Sequence, residues 1–183
     1  MRPGCAIGDA AMAIGILFVC TGNICRSPTA AGVFRSLARR AGMEHEFVID
    51  SAGTFGGHVG QPASLLALET ARRHGYDIAR HRARPLTEQD LEKFDLPIAM
   101  DRSHLATLRW MAGRSRQDRP TLLMRFAPQL RIDEVPDPYG GPASGYEQAL
   151  ALIEAGCQGL LDGFRAELRA ARSDSAPRSG SAH

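Results

Sequence analysis

The sequence has no long hydrophobic run, almost no lysine and few aromatic residues. No apolar stretch approaches the ~20 residues that a membrane-spanning helix needs, so we predict no membrane segment. Aromatic residues make up 6% of the 183 residues and the net charge is only +2, so composition gives no reason to expect binding to nucleic acid or to an anionic membrane. Lys93 is the single lysine. Arginine carries the rest of the basic charge, and its guanidinium group matches phosphate oxygens well.

Cysteine is also scarce, which argues against a disulfide-stapled secreted domain. The chain contains only four cysteines, namely Cys5, Cys20, Cys25 and Cys157, whereas secreted disulfide frameworks are shorter and denser in cysteine. Apolar residues at 10–20 imitate the core of a signal peptide, but Leu-Phe-Val at 17–19 offers no small residue for cleavage. The sequence therefore predicts a cytoplasmic protein with reduced thiols.

Short apolar runs alternate with segments of helical periodicity. The runs predict strands at residues 14–19, 46–51, 96–100 and 121–125. Helices are predicted from Ser27-Pro28 to Gly42, with Ser27 as the N-cap, and at residues 62–74, 87–94, 101–112 and 145–171. This alternation indicates a single α/β domain with a parallel four-stranded sheet flanked by helices. We predict the domain at residues 14–171, between a loose N-terminal extension at 1–13 and a disordered tail at 172–183.

The turn from the first strand into the first helix carries the strongest chemical signal. It reads VCTGNICRSP over residues 19–28 and follows the carboxyl end of a strand, where parallel sheets bind ligands. Gly22 and Asn23 tolerate positive φ angles, so the loop can turn several N–H groups inward at a helix N-terminus, where anions are favoured. Five residues separate Cys20 from Arg26. They can surround a phosphate, with the guanidinium group as a bidentate clasp.

The positive field of such a loop also favours the thiolate form of Cys20, which is the nucleophilic form, and Ser27 can hydrogen-bond its sulfur. A bare C-x5-R spacing is explained equally well by a buried structural cysteine, with Ser27 acting only as a helix cap. The order strand, glycine, asparagine, Ser-Pro and helix favours the chemical interpretation.

Residues 19–28 resemble the phosphate-binding loop of the low-molecular-weight protein tyrosine phosphatases. Three further segments agree with this family in order, DSAGT at 50–54, HRAR at 81–84 and AMD at 99–101, and a fourth, PDPYG at 136–140, resembles its acid loop. The resemblance covers residues 14 to about 170. It implies the flavodoxin-like fold of this family and a phosphatase that hydrolyses phosphotyrosine through a phosphocysteine intermediate.

The resemblance also implies a role for each residue of the site. Cys20 is the nucleophile, Arg26 binds the phosphoryl group and Asp137 is the general acid that protonates an aryl leaving group. The remaining phosphate- and substrate-binding positions are Thr21, Gly22, Asn23, Ile24, Cys25, Ser27 and Tyr139. Ser51 and His81 brace Asn23 in a left-handed conformation. No metal ion or cofactor is implied, and the six histidines show no metal-site spacing.

A tyrosine-phosphorylated protein or an aryl phosphate is the implied substrate. A partner tyrosine kinase is left open, and neither nucleic acid nor membrane has a role. Two positions depart from the family pattern. Gly57 stands where an aromatic residue often walls the pocket, so we expect one side to be open. His104 stands where asparagine often follows the Met-Asp pair, and there we expect only a local contact.

Four other functions fit the sequence less well. A thiol-dependent arsenate reductase shares the fold but needs a downstream cysteine pair, and only Cys157 follows the loop. Other Cys-x5-Arg phosphatases usually have histidine before the nucleophile and an upstream acid, whereas Val19 precedes Cys20 here and the acid follows. A non-catalytic phosphotyrosine-binding module would normally lack the nucleophile or the acid. A nucleic-acid interface would have to use a group of arginines, namely Arg72, Arg73, Arg80, Arg82 and Arg84. Acidic residues lie among them and no aromatic residue does, which argues against such an interface.

Overall fold

Four parallel strands form one sheet in the computed structural model, which describes residues 13–174 and the side chains of residues 13–170. The strands are β1 (Ile14–Cys20), β2 (Phe47–Gly53), β3 (Leu96–Ala99) and β4 (Thr121–Leu122), in the spatial order β2-β1-β3-β4. Within the described range the α-helices are α1 (Arg26–Arg40), α2 (Leu65–Arg73), α3 (Glu88–Lys93), α4 (Arg102–Ala112) and α5 (Ala143–Asp174). The predicted parallel α/β sheet with flanking helices is confirmed.

The predicted ends of the domain fall at the margins of the described residues. Of the extension at residues 1–13 only Ala13 is described, and of the tail at 172–183 only residues 172–174, which continue α5. The rest of both segments lies outside the described residues. The domain bounds therefore stay predictions.

The strand order places the loop after β1 in the middle of the sheet edge. β1 pairs with β2 on one side and with β3 on the other, so that Val19 lies between Ala52 and Ala99. The chain leaves β1 for β2 and then crosses to β3, and it is at such a reversal of strand order that open α/β sheets bind ligands.

Both faces of β1 are buried, which explains why its sequence is apolar throughout. Ile16, Phe18 and Cys20 belong to the core shared with α1, α2 and α5. Leu17 and Val19 face the second core, beneath α3 and α4. Successive side chains of a strand point to opposite faces, so this one strand anchors both layers and fixes the position of the loop that follows it.

The first helix begins differently from the prediction. Ser27 is not its N-cap: α1 begins at Arg26, Cys25 occupies the cap position, and no side chain caps the helix. Ser27 instead lies in the first turn, where its hydroxyl contacts the Cys20 sulfur at 2.9 Å. With no side-chain cap, the first amides of α1 are left for a ligand, as at other helix N-termini that bind anions.

The outer edge of β2 is covered at two places. The Gly53 N–H donates to the Arg84 carbonyl at 2.9 Å and the Gly53 carbonyl accepts from Leu86 N–H at 2.7 Å. Farther along the strand, Arg35 Nη2 donates to the Ile49 carbonyl at 3.0 Å. Only glycine fits at position 53, because a Cβ there would lie 2.7 Å from the carbonyl oxygen of Thr21.

The fourth strand is shorter than predicted. The strand expected at residues 121–125 ends at Leu122, and Leu123–Phe126 form a 3-10 turn instead. This turn packs against two glycines of α5, and a Cβ on Gly159 would lie only 1.8 Å from the Phe126 carbonyl oxygen. The prediction missed this close approach of α5, which favours the tight turn over further pairing with β3.

We therefore expect Gly159→Ala to destabilise the protein. The added methyl group forces α5 away from the Phe126 carbonyl, and overpacking of this kind typically lowers the free energy of unfolding by about 1–3 kcal/mol. Gly163→Ala on the same helix is the matched control, because a Cβ there meets nothing within 4 Å and alanine favours a helix over glycine by roughly 0.5–1 kcal/mol. Urea unfolding of both variants checks this, and equal shifts would contradict it.

Candidate active site

The loop between β1 and α1 is built around Asn23, a fully buried residue with a left-handed φ of 54°. Its Nδ2 group donates to the hydroxyls of Ser27 and Ser51, each at 2.9 Å. Its Oδ1 accepts from the Arg84 amide at 2.9 Å, and its carbonyl oxygen lies 2.6 Å from His81 Nε2. Asparagine tolerates positive φ better than most residues other than glycine, and these contacts stabilise the loop in this conformation.

His81 acts here as a neutral donor. A carbonyl oxygen only accepts, so the proton of the ring lies on Nε2 towards Asn23. Burial lowers the pKa of His81, partly offset by the bond to the Asn23 carbonyl. The structure thus has both contacts, from Ser51 and from His81, that the resemblance implies.

Cys20 ends β1 with its side chain almost completely buried. Its sulfur lies 2.9 Å from Ser27 Oγ. That hydroxyl already accepts a hydrogen bond from Asn23, and its other neighbour, the Ala52 carbonyl, is 3.5 Å away. The single hydroxyl proton of Ser27 is therefore best placed to point at the sulfur, where it stabilises a thiolate.

Arg26 is held from two sides. Its Nη1 donates to Asp101 Oδ2 at 2.8 Å and to the Val135 carbonyl at 3.1 Å, while Nη2 donates to Asp137 Oδ2 at 2.8 Å. The arginine side chain is 2% exposed and that of Asp137 is 49% exposed. An incoming dianion would therefore compete with the accessible Asp137 carboxylate for Nη2, while Asp101 keeps its hold on Nη1.

Asp101 is fixed in turn by the start of α4. Its Oδ1 accepts from the Ser103 amide at 2.9 Å, from the Ser103 hydroxyl at 2.6 Å and from the His104 amide at 3.1 Å. Burial opposes ionisation of this carboxyl group, but the contacts from His104 and Ser103 outweigh it and hold the pKa of Asp101 well below its usual range. Asp101 therefore stays ionised beside Arg26.

The two departures from the family pattern both have a structural consequence. The imidazole of His104 is fully buried, with Nε2 2.8 Å from Thr21 Oγ1 and Nδ1 2.9 Å from Asp101 Oδ1, so its contacts reach well beyond its own helix. At Gly57 the expectation of an open side is wrong. The Phe55 ring fills that space, and a Cβ on Gly57 would lie 2.1 Å from it.

These groups surround a pocket of about 230 Å³. Its mouth carries three rings, with Phe55 and His58 6.2 Å apart and His58 and Tyr139 5.9 Å apart between centroids. The pocket is lined by Cys20, Thr21, Gly22, Ile24, Cys25, Arg26, Phe55, His58, Asp137 and Tyr139. The sequence analysis missed His58, which no motif marks. Size does not single out this pocket, since a cavity of about 390 Å³ lies between α1 and β2, but no cysteine lines that one.

The other described cysteines have different surroundings. Cys25 is buried, with its sulfur 3.2 Å from Ser64 Oγ and 3.7 Å from the Tyr146 hydroxyl, and burial raises the pKa of its thiol. Cys157 is also buried, and its sulfur lies 3.7 Å from the Ala30 carbonyl in the core. A thiol in that position is not in a mobile segment, which weighs against the arsenate reductase alternative.

Residues 13–174 contain neither a cluster of metal-binding side chains nor a helix that could span a membrane. No three His, Cys, Asp or Glu side chains in this range come together as a metal-binding group. No helix in the same range has both the length and the apolar character to span a bilayer.

One pocket thus brings together a thiol beside a hydroxyl, a loop at a helix N-terminus, a buried arginine and an accessible carboxyl group. Together these groups define the site of a cysteine-dependent phosphatase. The comparisons with known proteins agree. The model of the low molecular weight phosphotyrosine protein phosphatase family matches residues 15–173. The chain belongs to the low-molecular-weight protein tyrosine phosphatase family.

Individual relatives are similar over almost their whole length. The low molecular weight protein-tyrosine-phosphatase YfkJ of Bacillus subtilis is 40% identical over 154 residues, which are 84% of this chain and 97% of the relative. The crystal structure of YfkJ matches with a TM-score of 0.82 and covers 87% of this chain and 99% of its own. A low molecular weight protein-tyrosine-phosphatase of Streptomyces coelicolor is 39% identical over 160 residues, covering 86% of this chain and 97% of the relative.

Proposed function

We propose that this protein hydrolyses phosphotyrosine in proteins, or related aryl phosphates, through a phosphocysteine on Cys20 and without a metal ion. The observation that carries the proposal is the convergence of Cys20, Arg26 and Asp137 on one pocket beneath the rings of Phe55, His58 and Tyr139. Family membership supports the same reaction. We further propose that the protein acts in the cytoplasm, with a tyrosine kinase as the source of its substrates.

The first step transfers the phosphoryl group to sulfur. The substrate phosphate binds to the inward N–H groups of residues 21–26 and to Arg26, whose Nη2 leaves Asp137 for it. The Cys20 thiolate attacks phosphorus and forms the S–P bond as the bond from phosphorus to the phenolic oxygen breaks. After its release from Arg26, Asp137 takes a proton from the solvent and gives it to the leaving oxygen, so that neutral phenol departs.

The second step returns the enzyme to its starting state. Asp137, now a carboxylate, takes a proton from water as the water oxygen attacks phosphorus, and the S–P bond breaks. Inorganic phosphate leaves, and the negative charge returns to the Cys20 sulfur, where the hydroxyl of Ser27 stabilises it. Asp137 gives its proton to the solvent and pairs with Arg26 again. The protein side chains complete both steps.

The walls of the pocket favour an aryl ester. Cys20 lies at the buried floor, whereas Phe55 and Tyr139 at the mouth are 57% and 60% exposed. A tyrosyl ring spans this depth and packs against the rings of the mouth, while a phosphoserine ester is too short to bring its phosphorus to the sulfur. We therefore expect a strong preference for phosphotyrosine over phosphoserine.

Steady-state hydrolysis of matched phosphotyrosine and phosphoserine peptides in the presence of a chelator tests the proposal. The phosphotyrosine peptides should be hydrolysed and the phosphoserine peptides should not. Thiol-dependent reduction of arsenate is measured alongside. Arsenate turnover without peptide hydrolysis would replace the proposed function by the reductase.

The aromatic rings at the mouth of the pocket lead to a prediction about KM for phosphotyrosine. Tyr139→Ala should raise KM for phosphotyrosine by about 2- to 12-fold and change KM for a small alkyl phosphate little, because an aromatic pair contributes roughly 0.5–1.5 kcal/mol beyond burial. Trp110→Ala is the matched control, since Trp110 is 82% exposed and does not line the pocket. Equal changes for the aryl and alkyl substrates would show that Tyr139 does not contact the substrate ring.

A further inference from the structure

A continuous chain of polar contacts runs behind the phosphate loop. Thr21 Oγ1 lies 2.8 Å from His104 Nε2, His104 Nδ1 lies 2.9 Å from Asp101 Oδ1, and Asp101 Oδ2 accepts from Arg26 Nη1 at 2.8 Å. His104 is 1% exposed, so the imidazole is closed off from solvent. Both of its nitrogens face residues of the site.

The chemistry of the partners gives this chain a direction. A carboxylate only accepts hydrogen bonds, so the proton of the ring belongs on Nδ1, towards Asp101. At this distance Nδ1 nevertheless lacks a well-aligned hydrogen bond. In this tautomer Nε2 accepts the hydroxyl proton of Thr21. His104 thus needs both neighbours, because a buried polar nitrogen without a partner is costly.

Thr21 connects this chain to the rest of the pocket. It follows Cys20 directly, and its carbonyl oxygen accepts from the Phe55 amide at 2.9 Å. A shift of Thr21 would therefore move the first amide of the phosphate loop and the aromatic mouth together. On the other side of His104, a rotation of the Asp101 carboxylate would leave Arg26 Nη1 with only the Val135 carbonyl as a partner.

We propose that His104 is a positioning residue of the phosphatase site, which fixes Thr21 and Asp101 relative to each other so that the loop and Arg26 present one geometry to the phosphoryl group. The inference rests on the proposed function. It predicts that loss of the imidazole weakens phosphate binding as well as turnover, because Arg26 contacts the phosphoryl group in both.

The test compares kcat/KM for an aryl phosphate with the competitive Ki of inorganic phosphate. His104→Phe keeps the bulk but removes both nitrogens. We expect kcat/KM to fall about 10- to 100-fold, the range for a misplaced catalytic geometry, and Ki to rise. His104→Gln carries an amide at the Nε2 position and should recover most of the phosphate affinity. His45→Gln, with a side chain that is 92% exposed, should match wild type.

Thr21→Val breaks the same contact from the other end without disturbing the core. It should raise Ki, and the double variant that combines His104→Phe with Thr21→Val should be no worse than the more damaging single change, because residues that act through one contact are not additive. A wild-type Ki in His104→Phe or in Thr21→Val, or losses that multiply in the double variant, would overturn the inference. If His104→Phe does not fold, a wild-type Ki in Thr21→Val overturns it alone. A wild-type protein without phosphatase activity would instead defeat the proposed function.

Discussion

Cys20→Ser should abolish turnover while leaving the fold intact. Serine fits the site, but a serine hydroxyl stays protonated and is a weak nucleophile, and the P–S intermediate cannot form. Loss of the nucleophile in a covalent mechanism reduces kcat by a factor on the order of 10⁶. The measurement is hydrolysis of an aryl phosphate in a chelator-treated sample, with circular dichroism to check the fold.

Cys157→Ala provides the matched control for this experiment. Its thiol is buried in the core against α1, so the change should lower stability somewhat and leave kcat close to wild type. Substantial activity in Cys20→Ser after chelation would show that phosphocysteine is not the intermediate. Loss of activity in the control would point to general damage from removing a thiol.

Asp137→Asn should have the second largest effect, a fall in kcat of about 10²–10⁴-fold for phosphotyrosine, the usual reach of general acid catalysis. An amide cannot give a proton to the departing phenolic oxygen. The loss should shrink for aryl leaving groups of low pKa, which depart as anions. The measurement is kcat across a series of aryl phosphates of graded leaving-group pKa, and a constant loss across the series would exclude Asp137 as the acid.

The ion pair with Arg26 adds a second readout to the same variant. Asp137 Oδ2 competes with a phosphoryl group for Nη2 of Arg26, so Asp137→Asn should bind inorganic phosphate at least as tightly as wild type while kcat falls. Asp133→Asn is the control from the same loop, because Asp133 is 68% exposed and pairs with Arg102 instead. Weaker phosphate binding by Asp137→Asn would contradict the competition.

Features set by neighbouring residues could be predicted from the sequence. Local preferences account for the apolar run of β1, for the glycine and asparagine of the loop and for the helix that follows. The sequence of this loop therefore led to the main hypothesis, a phosphate-binding site. The short helix α3 is of the same kind, because its capping box joins Thr87 and Asp90, three residues apart.

Features set by residues far apart in the chain could not be predicted. The contact between Thr21 and His104 joins positions 83 apart, and no pattern within either segment announces it. The tight turn after β4 depends on a glycine of α5. The sequence position of Ser27 suits a helix cap. In the structure its hydroxyl instead contacts the Cys20 sulfur and accepts from Asn23 Nδ2, so Ser27 belongs to the active site.

The covered edge of β2 has a consequence for self-association. An unpaired edge strand offers its backbone to a second chain, which is a route to aggregation. Here Arg35 occupies the Ile49 carbonyl and the segment at residues 84–86 occupies both backbone groups of Gly53. At the opposite edge β4 has only two residues, too few for a stable ladder. The Arg35 side chain and the segment at 84–86, whose Arg84 amide also holds Asn23 of the phosphate loop, thus discourage a neighbouring molecule from extending the sheet.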